Sequence, residues 1–129
     1  MLNRITLMGR LVRDPLVRET KTGQAAFFTV ACERDRPDPE TGRRPADFID
    51  CAAWGGTAGF VGRNFARGDM IVLHGRLRLN DYTAENGERR RGVQVSAENV
   101  YFGGFRAAPR ADGPVFEEED VYDDGELPF

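Results

Sequence analysis

Phe48, Trp54 and Tyr82 are large aromatic residues whose spacing puts each on a strand face shared with polar neighbours. Over Asp47–Trp54, one face carries Phe48, Asp50, Ala52 and Trp54, and the other carries Ile49, Cys51 and Ala53. Successive side chains of a strand alternate between faces, and a strand serving only a core would put its largest rings on the core side. Phe48 and Trp54 are six residues apart, so they lie roughly 20 Å from each other at about 3.3 Å per residue. Tyr82 ends a second alternating run, where Val72, His74, Arg76, Arg78 and Asn80 share its face. Rings stack on flat bases and guanidinium groups neutralise phosphates. That pairing suits a flexible polyanion with flat faces, which describes single-stranded nucleic acid.

Strands must hold these residues. Ile71, Leu73, Gly75, Leu77 and Leu79 form the apolar face of the run ending at Tyr82, and Val93 and Val95 return on the core side. Between them Asn86-Gly87 signals a tight reversal, since both residues tolerate positive φ. Arg89, Arg90 and Arg91 alternate, so at most two face a ligand, and Arg89 and Arg91 are the expected pair. Near the start, Ile5, Leu7, Gly9 and Leu11 alternate with Arg4, Thr6, Met8 and Arg10, which adds Arg4 and Arg10 to the candidate contacts. Pro15 ends that strand, because it donates no hydrogen bond. Lys21-Thr22-Gly23-Gln24 turns into a second strand over Ala25–Cys32, with Phe28 and Val30 inward. Glu33–Ala46, with three prolines and eight charges, reads as a mobile loop. Thr57–Arg67 is the only helix candidate, with Thr57 as N-cap and Gly68 as its stop. Three strands, a short helix and two more strands ending near Phe102 give an all-β class. They match the five-stranded oligonucleotide-binding barrel, the OB-fold.

Charge divides the 129 residues unevenly. Residues 1–110 hold all 18 basic residues and 13 of the 21 acids, a net +5, and residues 111–129 carry −8. Such asymmetry suggests a polyanion-binding body with an acidic arm. Cys32 and Cys51 lack metal or redox spacing and read as thiols in a reducing compartment. The longest stretch without Asp, Glu, Lys or Arg is the twelve residues Cys51–Gly62, too short to span a bilayer. No signal peptide is expected, because Arg4 and Arg10 interrupt the first ten residues. These features predict a soluble, cytoplasmic protein with no membrane contact, and nucleic-acid binding would place it at the nucleoid. For catalysis, Asp47 and Asp50 face opposite sides of one strand, and His74 has no acidic residue within four positions. No enzyme activity, metal or cofactor is expected. An RNA-binding barrel remains an alternative that affinity for oligo-dT against matching RNA would separate.

Several fragments occur in a telling order: Asn3-Arg4-Ile5-Thr6-Leu7-Met8-Gly9-Arg10-Leu11, Asp14-Pro15, Phe28-Thr29-Val30-Ala31, Gly75-Arg76-Leu77, and the acidic Asp123-Asp124-Gly125-Glu126-Leu127-Pro128-Phe129. In this order the chain resembles the bacterial single-stranded DNA-binding protein family. The resemblance implies stacking of single strands on Phe48, Trp54 and Tyr82. A further family aromatic falls at Arg36, whose guanidinium plane can also stack. Positions often basic in the family are Asp50, Asn80 and Asp81 here. The resemblance also implies a homotetramer acting in DNA replication, recombination and repair. After Gly103-Gly104 the alternation stops and too little apolar surface remains to offset chain entropy, so the chain divides into an OB-fold domain over 1–105 and a disordered linker and acidic tip over 106–129. In that tip Asp123, Asp124, Glu126, Leu127, Pro128 and Phe129 would hold replication and repair enzymes. A terminal Phe offers one ring and one carboxylate to an apolar pocket rimmed by basic groups, and the acids before it steer the approach.

Overall fold

The computed structural model describes residues 1–104. Alternating segments become strands β1 (Ile5–Leu11), β2 (Leu16–Thr20), β3 (Gly23–Glu33), β4 (Ala46–Trp54), β5 (Met70–Thr83) and β6 (Arg89–Phe102), with helix α1 (Gly55–Asn64) between β4 and β5. In the sheet β1 lies beside β5, then β6, β4 and β3 follow, and a β1–β3 pairing closes the ring. All neighbours in this ring are antiparallel except β4 and β6, which run parallel at Cys51–Val95 and Ala52–Ser96. This closed five-stranded barrel, with its helix between the third and fourth barrel strands, is the OB-fold.

The remaining strand, β2, lies outside the ring. It pairs with the first half of β3, on the same edge that β1 occupies further along. Val12–Pro15 separates the two: Leu11 pairs with Val30 and Leu16 with Phe27, so four residues on one side stand opposite two on the other. Pro15 therefore interrupts an edge that resumes beyond it.

Core residues come from every barrel strand and from the helix. Leu11, Val30, Cys51, Ile71, Leu73 and Val95 are fully buried, and Ala58, Val61 and Phe65 bring the helix and its end onto them. Each large aliphatic side chain so buried contributes roughly 1.5–3 kcal/mol. The helix starts two residues before Thr57, and Trp54 is its N-cap with no side-chain cap bond. Gly55 makes the corner at φ 62°, and the Thr57 hydroxyl donates to the Glu98 carbonyl instead, at 3.4 Å. At the other end the helix stops at Asn64, short of the expected Arg67, because Phe65 takes an extended conformation. Phe65 then stacks on Phe102 at 5.2 Å.

The β5–β6 hairpin is the longest element, and the apolar row along it outruns the core. Leu77 is 40% exposed, Leu79 57% and Val93 53%, although period two places them with the buried Leu73 and Val95. Backbone pairing with β1 ends at Ile5–Gly75, and β4 reaches β6 only at Val95 and Ser96. Beyond those points the two strands have only each other. Asn3 marks the limit: its side-chain amide donates to the Leu77 carbonyl at 2.8 Å and accepts from the Leu77 amide at 3.0 Å.

Two irregularities set the hairpin's phase. At the tip Ala84 N–H donates to the Glu88 carbonyl and Gly87 N–H to the Ala84 carbonyl, both at 2.9 Å. Only Gly87 takes positive φ, so the loop holds three residues rather than a tight Asn-Gly pair. At the root, His74 pairs with Asn99 but Gly75 with Ala97, which leaves Glu98 as a bulge. A Cβ on Gly75 would lie 1.9 Å from the Ser96 carbonyl oxygen, so only glycine allows this approach.

Candidate nucleic-acid interface

The outer face of β3 and β4 follows from what the core takes. Phe28, Val30, Cys51 and Ala53 go inward, so Ala25, Phe27, Thr29 and Ala31 on β3 face out beside Trp54, Ala52, Asp50 and Phe48. Trp54 is 40% exposed and Phe48 is half-buried. A third ring, Phe27, stands opposite Ala52, between the levels of Phe48 and Trp54, and is half-buried. It was absent from the residues expected on sequence. The signal was present, since adjacent Phe27 and Phe28 on one strand cannot both enter the core. Asp50, centred on this face, accepts a hydrogen bond from the Thr29 hydroxyl at 2.9 Å.

The hairpin carries the second group. Tyr82 stands opposite Arg90, Arg78 opposite Gln94 and Arg76 opposite Ser96, and these share one face. Arg89 and Arg91 are on the other, opposite Thr83 and Asp81 and in line with Leu79 and Val93. Of the three arginines the ring's cross-strand companion is thus Arg90, while Arg89 and Arg91, the pair expected from sequence to contact a ligand, lie on the other face of the ladder. Arg91 is bound to its own neighbour, with its Nε donating to Asp81 at 3.2 Å.

Several other candidate arginines hold internal partners. Arg4 and Arg76 both reach Glu98, at 3.4 and 3.3 Å, so the bulged residue gathers two cations from β5 and the segment before β1. Arg10 donates to the Gly68 carbonyl at 3.0 Å. Exposed ion pairs of this type contribute roughly 0–1 kcal/mol, so a phosphate can replace the carboxylate at little cost. Arg78 and Arg89 make no ion pair among the described residues, and both are exposed. Arg36 is exposed in the β3–β4 loop. That loop is cross-braced: Arg34 N–H donates to the Pro45 carbonyl at 2.8 Å, Asp38 N–H to the Arg43 carbonyl at 2.7 Å, and the Arg34 guanidinium to Asp47 at 2.9 Å.

The outer face of β1, β5 and β6 has a different character. Met8 is opposite Val72, and Val72 opposite Tyr101, which makes an apolar row across three strands with Met8 59% and Tyr101 49% exposed. His74 lies beside it, 6.0 Å from the Tyr101 ring. Both cysteines are free thiols. Burial, then the nearby Asp50 and Cys32, pushes the Cys51 thiol far up, and burial followed by Asp47 raises Cys32. Among the described residues no group of three or more His, Cys, Asp or Glu could hold a metal ion, and no helix is long and apolar enough to cross a membrane. The expected partner-binding residues from Asp123 to Phe129 lie outside the described residues.

Residues 2–103 match the Single-strand binding protein family. Among curated proteins, the chain is 40% identical over 103 residues to the single-stranded DNA-binding protein A of Bacillus subtilis, covering 79% of this chain and 59% of that protein. It is 38% identical over 104 residues to a single-stranded DNA-binding protein of Fusobacterium nucleatum, with 79% and 67% covered. A third, from Bacillus cereus, is 39% identical over 103 residues, with 79% and 60% covered. The match thus spans about three fifths of the length of these relatives.

Proposed function

Because this chain belongs to the single-strand binding protein family, we propose that it binds single-stranded DNA by stacking bases on Phe48, Trp54 and Tyr82 while arginines take the phosphates. The observation carrying this reading is the outer β3–β4 face, where Phe27, Phe48 and Trp54 stand out from a strand pair whose other face is core. Stacking tolerates any base, since each has a π-face, and so supports coating of DNA with little regard to sequence. Arg76, Arg78 and Arg90 beside Tyr82, with Arg4, Arg10, Arg36, Arg89 and Arg91 elsewhere, supply the cations.

We further infer a role in replication, recombination and repair, with partner enzymes recruited by the tip Asp123–Phe129, and assembly as a homotetramer. The apolar row Met8–Val72–Tyr101 supports self-association, because a second copy would cover it. The division into a binding domain over 1–105 and a tail over 106–129 belongs to the same reading, as does a non-catalytic role in the cytoplasm at the nucleoid. Titration of a labelled oligo-dT, matching RNA and duplex tests the central claim. Tight binding to the single DNA strand and weak binding to duplex is expected, and equal affinity for the two would overturn it. Solution mass with and without a long oligo-dT tests the assembly.

A further inference from the structure

Where β1 and β5 stop pairing, the register brings two cations together. The last pair is Ile5–Gly75, and one step further sets Arg4 level with Arg76. Both side chains are exposed, and like charges opposite each other on a sheet destabilise it. A carboxylate stands with them. Glu98 places Oε2 3.4 Å from Arg4 Nη1 and Oε1 3.3 Å from Arg76 Nε, one oxygen to each guanidinium.

The bulge puts Glu98 there. It is the unpaired residue between the His74–Asn99 and Gly75–Ala97 pairs, and its carbonyl accepts from the Thr57 hydroxyl at 3.4 Å. Its backbone is therefore fixed between β5 and the first turn of α1, the helix that Trp54 caps. The side chain is held only by the two arginines among the described residues. That hold is loose, since both contacts exceed the roughly 2.7–2.9 Å of well-formed charge-assisted hydrogen bonds.

A phosphodiester resembles this carboxylate in carrying a single negative charge shared by a pair of oxygens. Each guanidinium keeps further N–H donors in a planar fork that matches such a pair. Arg76 also begins the row that runs through Arg78 to Tyr82. It lies four residues past Val72, roughly 13 Å along the strand, and so is set apart from the apolar row.

We propose that Arg4 and Arg76 form one phosphate subsite for the bound strand, and that Glu98 is its internal occupant, holding both arginines until a backbone phosphate displaces it. The proposal rests on the single-stranded DNA reading and adds to it a residue that lowers affinity. Because the bulge keeps Glu98 in place, its carboxylate stays beside the incoming phosphate and repels it. Binding is therefore weaker than two unoccupied arginines would give.

The test is fluorescence anisotropy with a short labelled oligo-dT, comparing the unmodified protein with Glu98→Gln. Trp54 fluorescence is followed in parallel as an independent sign of binding. Glutamine keeps the side chain's length and removes its charge, and circular dichroism and solution mass check fold and assembly. Glu33→Gln removes the same charge from an exposed acid that makes no ion pair among the described residues. Glu98→Gln is expected to tighten binding roughly fivefold, the share of one exposed ion pair, and Glu33→Gln by much less. In an Arg4→Gln/Arg76→Gln background the change at Glu98 is expected to give no gain. With Glu98 untouched, that double arginine variant is expected to lower the log–log salt slope by about 0.7, the share of one phosphate.

No gain in a folded Glu98→Gln protein, whether or not its solution mass changes, overturns the proposal and leaves the DNA-binding reading standing. An equal gain from Glu33→Gln reduces the effect to net charge and also overturns it. A gain that survives the loss of both arginines overturns the subsite. So does a slope change of about 1.4, which counts two phosphates instead of one. Failure of the unmodified protein to bind oligo-dT overturns both readings.

Discussion

Tyr82 and Arg90 face each other directly across the β5–β6 ladder, while the neighbouring Arg91 is paired with Asp81 on the opposite face. Cation and ring therefore come from facing strands and occupy one surface. Arg90→Ala is expected to weaken single-strand binding and to lower the log–log salt slope by about 0.7, the share of one phosphate. Arg91→Ala is expected to change the slope less, because Arg91 lies on the face of the ladder opposite Tyr82. Titrations at several salt concentrations check both.

Trp54→Ala should cost roughly 1–3 kcal/mol of binding free energy, the range for one stacked base. The fold should survive, because Trp54 caps α1 through its backbone and makes no side-chain cap bond. Trp54 is the only tryptophan, so intrinsic fluorescence of the unmodified protein should be quenched by saturating oligo-dT. An unquenched signal would remove Trp54 from the stacking face.

Gly75→Ala should destabilise the barrel by about 3 kcal/mol, the upper range for inserting a methyl into filled space. The added carbon would meet the Ser96 carbonyl oxygen at 1.9 Å, which is backbone and cannot swing aside. Urea unfolding followed by circular dichroism measures the loss.

Alkylation by iodoacetamide at pH 8 should be slow at both cysteines of the folded protein, and slowest at Cys51. Both thiols are shifted upward, so the reactive thiolate is scarce until the pH passes the raised values. Because the thiols are held neutral in the fold and ionise more readily in the unfolded chain, their contribution to stability is fully present below the unfolded thiol range and is lost as pH rises from there through the raised folded values. Labelling in urea at the same pH should be fast at both.

Two truncations separate the tail's roles. Removing Leu127-Pro128-Phe129 should abolish partner recruitment with DNA affinity nearly unchanged, since those residues carry no charged side chain. Removing residues 111–129 should also raise DNA affinity at low salt, because a −8 arm competes with DNA for a +5 body. That gain should fade as salt rises. Loss of DNA binding or of assembly on the longer truncation would place the tail within the folded body.

Period-two alternation was enough to locate the β4 rings, the hairpin and the barrel order, because one buried face dictates where every other side chain points. The phase of the hairpin was not legible in the same way. A two-residue Asn-Gly turn would have set Arg91 opposite Tyr82, and the three-residue loop shifts the ladder by one and substitutes Arg90. Nor could alternation say where the core ends along β5, since Leu77 and Leu79 look like Leu73 until β1 is known to stop pairing at Ile5. The helix start escaped because Gly55 turns the corner through its backbone, which leaves Thr57 no capping task.

Asn3 holds both backbone groups of Leu77 at the place where the hairpin leaves the barrel. In mechanical terms this clip is a fulcrum. From Leu77 to Thr83 the arm extends roughly 20 Å, with no neighbouring strand to stiffen it. By lever geometry a slight tilt at the clip would become a wide sweep of Tyr82, which would let the proposed single-strand contact adapt to strands of differing path. The stiff partner in that motion is the barrel face bearing Trp54, fixed at the junction of β4 and α1.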